Sequence, residues 1–167
     1  MLGKRYDTQV CSIARSLELV GERWSLLIIR DALFARVSRF GDFQHNLGIA
    51  TNVLASRLDA FVESGIMERS GASDYALTAK GRALAVSLMA LTEWGDEWAS
   101  PIDPPILYRH LDCPSAGAED PGASAVSAVA ECASCGRVPA DEVGVRVGPG
   151  MPAEYLAARR GGSRAGA

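Results

Sequence analysis

Apolar residues recur at helical spacing through the first part of the chain and predict two successive helices. Residues 11–20 place Ile13 and Leu17 on one face, and Gly21 is a favourable stop for that helix. Residues 24–34 are apolar nearly all round. A helix of that kind is typical of a core position, so we expect the second helix to be central and buried.

Two shorter helical patterns follow, separated by a turn at Leu47 and Gly48. The first covers residues 41–46. The second begins at Thr51, which we expect to act as its N-cap. It carries an apolar stripe at positions i, i+4, i+7 and i+8, formed by Leu54, Leu58, Phe61 and Val62. Its opposite face is therefore free, and small polar residues lie near its start.

An alternation of apolar and polar residues then replaces the helical pattern. Residues 66–69 and 75–78 predict two strands of a hairpin, because the intervening residues 70–74 are rich in Gly, Ser and Asp. From Ala79 the helical period returns and predicts one helix to about Trp98. Prolines shortly after residue 100 end that helix.

A helix, a turn, a second helix and a two-stranded hairpin in immediate succession predict a winged helix-turn-helix. The expected fold class is therefore mainly α with a small β-hairpin wing. In that fold the second helix of the motif enters the major groove of DNA, and its N-terminal residues face the base edges. This placement explains why the helix that begins at Thr51 opens with small polar residues.

Candidate DNA-contacting residues fall into two groups. Asn52 can read adenine through its side-chain amide. Thr51, Ala55 and Ser56 lie beside it on or near the free face of the helix. Basic residues on either side can neutralise backbone phosphates; they are Arg36, Arg39, Arg57, Arg69, Lys80 and Arg82. For each of these charges the alternative is an ordinary solvated side chain.

Overall charge does not decide whether nucleic acid is a partner. The 167 residues have a formal net charge of -3 and are 48% hydrophobic, as expected of a globular domain. Residues 1–100 contain eleven Lys and Arg against twelve Asp and Glu. Any DNA-binding surface must therefore be a focused one. No apolar run approaches the ~20 residues of a membrane helix, and we expect a soluble cytoplasmic protein.

Three stretches have a distinctive order and spacing: "CSIARSLELVGERWSLLIIRDAL", "SRFGDFQHNLGIATNVLASRLDAFVESGIMER" and "YALTAKGRALAVSLMALTEWGDEW". Together they cover about residues 9–98 and resemble the HxlR-type transcriptional regulators of bacteria, a MarR-like group. The resemblance implies a homodimer that binds a pseudo-palindromic operator in double-stranded DNA, usually as a repressor and sometimes as an activator. Ala50 departs from the family, which usually has Ser there, so Thr51 is expected to take over the cap.

The last helix of the winged domain is longer than a single such domain needs. Its apolar stripe consists of Leu84, Leu88, Leu91, Trp94 and Trp98. Packing within the protomer is one use for this stripe. Together with the first helix it is also the best candidate for a dimer face, and we favour the homodimer.

Cys11 stands apart from the other three cysteines. We place it in the first turn of its helix, where the macrodipole favours a thiolate, and Arg15 at i+4 adds a second positive influence. Some HxlR-type regulators resemble this chain in carrying an electrophile- or oxidant-sensing Cys at the matching place. The resemblance implies redox sensing by Cys11, with an oxidant, electrophile or small molecule as effector. The alternative is a small buried residue that fills space at the dimer interface.

The remaining cysteines form a cluster near the C-terminus. "HLDC" at 110–113 and "CASC" at 132–135 have the spacing of two zinc-ribbon knuckles. The predicted ligands of one structural Zn²⁺ are His110, Cys113, Cys132 and Cys135. Water or Asp112 can replace His110, and a metal-free cluster, reduced or disulfide-forming, is the alternative. Longer HxlR-type regulators resemble this chain in carrying a Cys-rich tail, usually with Gly where this chain has Pro114.

The sequence thus divides into four predicted segments. They are a winged DNA-binding and dimerisation domain at 1–100, a Pro-rich linker at 101–105, a zinc-ribbon-like β module at 106–150 and a tail at 151–167. Within the module, residues 106–110 and 143–147 predict strands and residues 115–130 a loop. Residues 161–167 are expected to be disordered.

An enzymatic function has little support in the sequence. It has neither a Gly-rich phosphate loop nor a nucleophile elbow, and its two histidines are far apart. The predicted zinc has four protein ligands and no open position, and no organic cofactor is expected. The second candidate function is a winged-helix module that binds protein or ligand without reading DNA. The absence of excess positive charge keeps that alternative open.

Overall fold

A computed structural model describes residue 6 and residues 9–110, 112–114, 125–139, 142–144 and 148–150. The predicted tail at 151–167, with its disorder, lies outside the described residues, as does most of the predicted loop at 115–130. The described elements are α1 Ser12–Val20, α2 Ser25–Phe34, α3 Phe40–Leu47, α4 Thr51–Glu63, β1 Met67–Arg69, β2 Tyr75–Leu77, α5 Ala79–Arg82, α6 Ala85–Trp98, β3 Glu131–Cys132 and β4 Gly136–Arg137. Within these residues, no helix combines the length and the apolar character that a membrane crossing requires.

The winged helix-turn-helix is confirmed by the order of α3, α4 and the antiparallel hairpin β1–β2. Its core surrounds α2, which contacts α3, α6 and β2. Ile28 and Ile29 of α2 are fully buried, as the apolar run predicted. The stripe of α4 is also confirmed, since Leu54, Leu58 and Phe61 are buried beneath it.

The turn between α3 and α4 depends on Gly48. Gly48 adopts a left-handed backbone with φ 59°, and its N–H donates to the carbonyl of Gln44. A residue with a Cβ adopts this conformation only at a cost, so glycine is favoured there. The next residue, Ile49, is 3% exposed and anchors the turn in the core. This turn fixes how α4 leaves α3.

The predicted N-cap of α4 is wrong. Ala50 occupies the cap position and makes no side-chain cap bond, whereas Thr51 is the first residue of the helix. The Thr51 hydroxyl instead accepts a hydrogen bond of 2.7 Å from the side-chain amide of Gln44. The threonine side chain therefore joins α3 to α4 rather than capping the backbone of α4.

The single long helix predicted from Ala79 to Trp98 is also wrong, because the chain turns at residues 83 and 84 and divides it into α5 and α6. Thr78 caps α5 by accepting from the Gly81 N–H and donating to the Gly65 carbonyl at 2.7 Å. A Cβ on Gly81 would lie 2.3 Å from the Ile66 carbonyl oxygen. This close backbone packing holds α5 against the base of the hairpin, and the turn lets α6 pack on α2 instead.

The segment just before α3 extends the wing by pairing with the chain at the start of β2. Hydrogen bonds join Tyr75 N–H to the Ser38 carbonyl at 2.8 Å and Phe40 N–H to the Ser73 carbonyl at 3.0 Å. Arg39 and Asp74 form an isolated antiparallel bridge between them. The segment before α3 is thereby fixed alongside β2, which sets the position of Arg39.

The structure departs from the strands predicted in the C-terminal segment. Only Arg109 in the predicted strand 106–110 makes a bridge, to Ala125. The Tyr108 ring instead packs on Phe34 with centroids 4.7 Å apart, so this segment lies against the helices. In the other predicted strand, residues 143 and 144 are not in a strand, and residues 145–147 lie outside the described residues.

Candidate nucleic-acid interface

The exposed face of α4 changes character along its length. Asn52, Ser56, Asp59 and Glu63 recur at i, i+4, i+7 and i+11, and all four are exposed, opposite the buried stripe. The first half of this face is polar and neutral, whereas the second half carries two carboxylates. Because carboxylates repel phosphate, only the first two turns of α4 are suited to enter a DNA groove. Ala55 is half-buried beside this face.

Gln44 was missing from the residues predicted by sequence. Its side-chain amide donates to the Thr51 hydroxyl across the α3–α4 turn. This bond fixes the exposed Thr51 side chain before any ligand arrives. Gln44 and Thr51 lie in different helices, so the helical spacing of the sequence does not predict their contact. The contact depends on the geometry of the turn between the helices.

A cleft of about 290 Å³ opens between the start of α4 and the turn that joins α1 to α2. Asn52, Ser56 and Arg57 form one side of it, and residues 22–24 form the other. Arg23 is exposed, and its guanidinium lies 5.4 Å from the centroid of the Trp24 ring. Arg23 is therefore a cation beside Asn52, although the sequence did not predict it as a DNA contact.

Arg57 is less available than the sequence suggests. Its side chain is 19% exposed, and its Nη1 lies 3.9 Å from a carboxylate oxygen of Glu22. The Glu22 side chain is 55% exposed and can swing into solvent. A phosphate at this position would have to replace Glu22 as the partner of Arg57.

The wing contributes Arg69, which donates to Asp59 of α4 at 2.7 Å. The Arg69 guanidinium also lies 5.1 Å from the centroid of the Tyr75 ring on β2. These two contacts hold the side chain between the wing and α4. The Arg69 charge therefore offsets the first carboxylate on the exposed face of α4.

Arg36 and Arg39 precede the helix-turn-helix. Arg36 is exposed and has a left-handed backbone with φ 57°. Among the described residues it makes no ion pair. The Arg39 side chain is 74% exposed and lies 3.6 Å from Asp74. Both side chains are open to a polyanion.

The two predicted cations after the hairpin bind backbone carbonyls. The Lys80 ammonium donates to the Ser64 carbonyl at 2.7 Å, and Arg82 donates to the Leu77 carbonyl. Ser64 is the C-cap of α4, so Lys80 lies at the negative end of that helix. Eleven residues separate Asn52 from Glu63, or about 17 Å of helix. The structure therefore places Lys80 away from the start of α4.

The sequence predicted Cys11 in the first turn of α1, whereas the structure places it at the N-cap, one residue before that turn. The residue is exposed. The Arg15 guanidinium donates to Glu18 at 2.6 Å and to the carbonyls of Tyr6 and Gln9. The charge predicted to activate Cys11 is thus shared with a carboxylate, and redox sensing stays a prediction.

The predicted zinc ligands do not converge within the described part of the chain, where no group of three His, Cys, Asp or Glu side chains could hold a metal ion. Cys132 and Cys135 do lie together, at the turn of the β3–β4 hairpin. A backbone hydrogen bond from Ser134, then hydrogen bonds from the backbone and side chain of Cys135, lower the pKa of Cys132. The two cysteines of the second predicted knuckle are therefore close together, and binding of zinc with His110 and Cys113 remains a prediction.

Two helices expose large apolar side chains. Ile13 and Leu17 of α1 are 70% and 44% exposed. On α6, Leu91, Trp94 and Trp98 are 50%, 57% and 70% exposed. The predicted stripe of α6 is therefore buried only at its start, through Leu88, and most of it is uncovered in the single chain.

Comparison with known proteins places this architecture among transcriptional regulators. The model of the HxlR-like helix-turn-helix family matches residues 19–103. The HTH-type transcriptional regulator Rv3095 of Mycobacterium tuberculosis is 44% identical over 119 residues, covering 67% of this chain and 73% of its own.

Two solved structures extend the likeness. PA1607, described as a candidate transcription factor, matches with a TM-score of 0.66 and 34% identity, covering 82% of this chain and 94% of its own. PA1374 of Pseudomonas aeruginosa, described in the same way, matches with a TM-score of 0.59 and 36% identity. It covers 88% of this chain and 99% of its own. The matched part of this chain is longer than the winged domain in both cases, so the similarity includes part of the C-terminal segment.

Proposed function

Since this chain belongs to the HxlR-like helix-turn-helix family of transcriptional regulators, we propose that it binds double-stranded DNA as a homodimer and regulates transcription from a pseudo-palindromic operator. The observation that carries the proposal is the exposed, neutral, polar start of α4, where Asn52 and Ser56 share one face. Small polar side chains let the helix approach base edges closely, and the first negatively charged side chain on this face is Asp59.

Base reading is assigned to Asn52 and Ser56. The Asn52 amide has the donor and acceptor needed for a bidentate pair with adenine, and the Ser56 hydroxyl can bond either a base or a phosphate. Thr51, held by Gln44, supports the same turn of the helix from the side of α3. Ala55 supplies a small apolar surface suited to a thymine methyl group.

Phosphate binding is assigned to cations on both sides of α4. Arg23, Arg36 and Arg39 are exposed, and Arg57 and Arg69 each have a carboxylate neighbour. The Arg69–Asp59 pair is exposed, and exposed ion pairs stabilise a protein by only about 0–1 kcal/mol, so a DNA phosphate can displace Asp59 at small cost. Glu22 lies 3.9 Å from Arg57 and is 55% exposed, so it can move aside for a phosphate. This exchange is compatible with a net charge of -3, because Arg57 and Arg69 lose their carboxylate partners only where DNA binds.

Dimerisation is proposed through α1 and α6. The exposed apolar side chains of the two helices, among them Ile13 and Trp94, would be covered by a second copy. A symmetric dimer presents two copies of α4 to successive major grooves. Two half-sites should then be spaced by about one DNA turn, ~34–36 Å, or a multiple of it.

Control by an oxidant or electrophile at Cys11 is part of the proposal. The thiol is exposed at the start of α1, a helix assigned to the dimer interface, so a bulky adduct there would disturb the dimer. Gel shifts with benzoquinone test this step on the wild type and on Cys11→Ser. The proposal expects loss of operator binding for the wild type only, and an identical response of both proteins would make Cys11 structural.

Genome-wide binding followed by footprinting of the best site tests the function as a whole. The result expected is a protected pseudo-palindrome with the spacing given above. Weak binding that is the same for every sequence, or no binding, would instead favour the winged-helix module that contacts protein or ligand. The carboxylates that pair with Arg57 and Arg69 are the observation that supports that second candidate.

A further inference from the structure

A cleft of about 360 Å³ lies between α6 and the segments that follow it, away from the start of α4. One wall is formed by four residues of α6, and the other by residues 104, 106–108 and 125–126; the α6 residues are Thr92, Glu93, Asp96 and Glu97. The volume falls in the range of about 300–1,000 Å³ that is typical of small-molecule sites. Neither the DNA-reading residues nor the predicted zinc ligands line it.

The walls are fastened to one another. The Tyr108 hydroxyl and the Thr92 hydroxyl are 2.9 Å apart, and the Tyr108 carbonyl accepts from the Val126 N–H at 2.9 Å. The Ala128 N–H donates to one carboxylate oxygen of Glu93 at 2.8 Å. These bonds link both segments to α6, so the cleft exists before a ligand binds.

The two walls differ in chemistry. Ile106 and Leu107 are 55% and 64% exposed and present apolar surface on the wall opposite α6. On the helix side, Glu93, Asp96 and Glu97 follow the spacing i, i+3, i+4 and share one face of α6. Like charges at this spacing repel one another and destabilise a helix, and a bound cation would reduce that repulsion.

The carboxylates of this cleft are not neutralised by the protein. In the described part of the chain, Asp96 and Glu97 make no ion pair, and the lining contains no Lys, Arg or His. A metal ion is a poor candidate, because no three acidic or soft side chains of the described residues are grouped to hold one. The combination that fits is a positive charge carried on an apolar body.

We propose that this cleft binds an amphipathic organic cation, with its charged head between Asp96 and Glu97 and its apolar body against Ile106 and Leu107. The apolar wall supplies affinity through burial, and the carboxylates select the sign of the charge. The site is independent of the proposed DNA binding, since it shares no residue with α4. The other conceivable occupant is a basic side chain of a second copy, which would exclude a soluble ligand.

Calorimetric titration of the full chain with three matched probes tests the site. The probes are 4-phenylbutyltrimethylammonium, the neutral 4-phenylbutanol and the anionic 4-phenylbutyrate. We expect the cation to saturate one site per chain and to bind more tightly than the alcohol, by up to about fivefold for each partly exposed ion pair that it forms. The anion should not saturate.

Variants separate the two walls. Asp96→Asn combined with Glu97→Gln should abolish the preference for the cation while leaving the affinity for the alcohol unchanged. Ile106→Ala should weaken both ligands, and Glu68→Gln, an exposed carboxylate on the wing, should change neither. Thermal melting confirms that each variant is folded. Equal affinity for cation and anion, no saturation by any probe, or a cation preference that survives Asp96→Asn with Glu97→Gln would each overturn the proposal.

Discussion

Arg69 of the wing donates a 2.7 Å hydrogen bond to Asp59 of α4, so a cation assigned to phosphate binding is held by a carboxylate on the exposed face of α4. Both side chains are at least half exposed, at 50% and 63%. An ion pair of this kind contributes little to stability. Its main effect is electrostatic, because it reduces the repulsion between Asp59 and an approaching phosphate.

Removing either partner should change DNA affinity in opposite directions. Arg69→Ala should weaken binding to every sequence and lower the slope of log K against log salt by about 0.9, one phosphate contact. Asp59→Asn should tighten binding to every sequence by up to about fivefold, because it removes a negative charge and releases Arg69. Fluorescence anisotropy at several salt concentrations measures both.

Arg137→Ala, an exposed cation of β4, is the matched control and should leave the slope unchanged. An unchanged slope in Arg69→Ala would mean that Arg69 only ties the wing to α4. A loss of affinity in Asp59→Asn would show that the ion pair positions Arg69 rather than competing with DNA for it.

The stability of the wing should depend on Gly81. Gly81→Ala places a Cβ about 2.3 Å from the Ile66 carbonyl oxygen, so the backbone of α5 must move. We expect a loss of about 1–3 kcal/mol in the free energy of unfolding, as for other overpacked sites. Gly95→Ala in α6 is the control, since no heavy atom lies within 4 Å of its added Cβ.

Gly95→Ala should stabilise the protein by about 0.5–1 kcal/mol, because alanine is the better helix former. Urea unfolding of the two variants beside the wild type measures the difference. If Gly81→Ala is as stable as Gly95→Ala, the close packing of α5 on the hairpin base does not constrain this position.

The dimer should depend on the exposed face of α6. The chain has a mass of 17.7 kDa, so the dimer has twice that, 35.4 kDa. Trp94→Glu places a charge in the centre of the proposed interface and should shift the mass measured by light scattering to that of one chain. Val143→Glu changes an exposed apolar residue elsewhere and should remain dimeric. A wild type with the mass of one chain would refute the interface.

The module at 106–150 should bind one Zn²⁺ per chain through His110, Cys113, Cys132 and Cys135. Binding would draw the two knuckles together, with a free energy of about 10–16 kcal/mol at neutral pH available for ordering the segment. Elemental analysis of protein purified without an affinity tag or added zinc measures the ratio. Cys132→Ser should lose the metal and keep the dimer mass, whereas a ratio near zero in the wild type would exclude the site.

The metal-free thiols allow a second measurement of the same site. Hydrogen bonds from Ser134 and Cys135 lower the pKa of Cys132, so more of this thiol is ionised at a given pH in the folded chain than in the unfolded chain. Alkylation of Cys132 by iodoacetamide should therefore begin at lower pH in native protein than in urea. Added zinc should protect Cys132 and Cys135 from alkylation.

The periodicity of the sequence predicted those helices and strands whose buried face depends only on residue spacing within the element itself. The core positions Leu54, Leu58 and Phe61 follow from spacing alone, because a helix needs only one apolar stripe to dock. The hairpin likewise follows from alternation and a turn-rich loop. The single helix predicted from Ala79 to Trp98 was wrong. The close backbone contact of Gly81 with Ile66, which holds α5 on the hairpin, cannot be predicted from the spacing of apolar side chains.

Sequence was less informative about the candidate site, since it shows charges but not their partners. Arg57, Arg69 and Lys80 are visible as cations, while Glu22, Asp59 and the Ser64 carbonyl that bind them are not identifiable before folding. Arg23 was overlooked because it precedes the helix-turn-helix in sequence, although the α1–α2 turn brings it next to Asn52. Knuckle spacing revealed the cysteine pair at 132 and 135 but could not show whether His110 and Cys113 meet it.

The most direct test of DNA reading is the ratio of affinities for the footprinted operator and for random DNA, measured at one salt concentration. Asn52→Ala combined with Ser56→Ala should reduce this ratio by about tenfold or more, since good base contacts each provide about 1–3 kcal/mol of discrimination. Affinity for random DNA should hardly change, and Ser127→Ala in the C-terminal segment should leave the ratio intact. Equal losses on operator and random DNA would contradict the assignment of base reading to the start of α4.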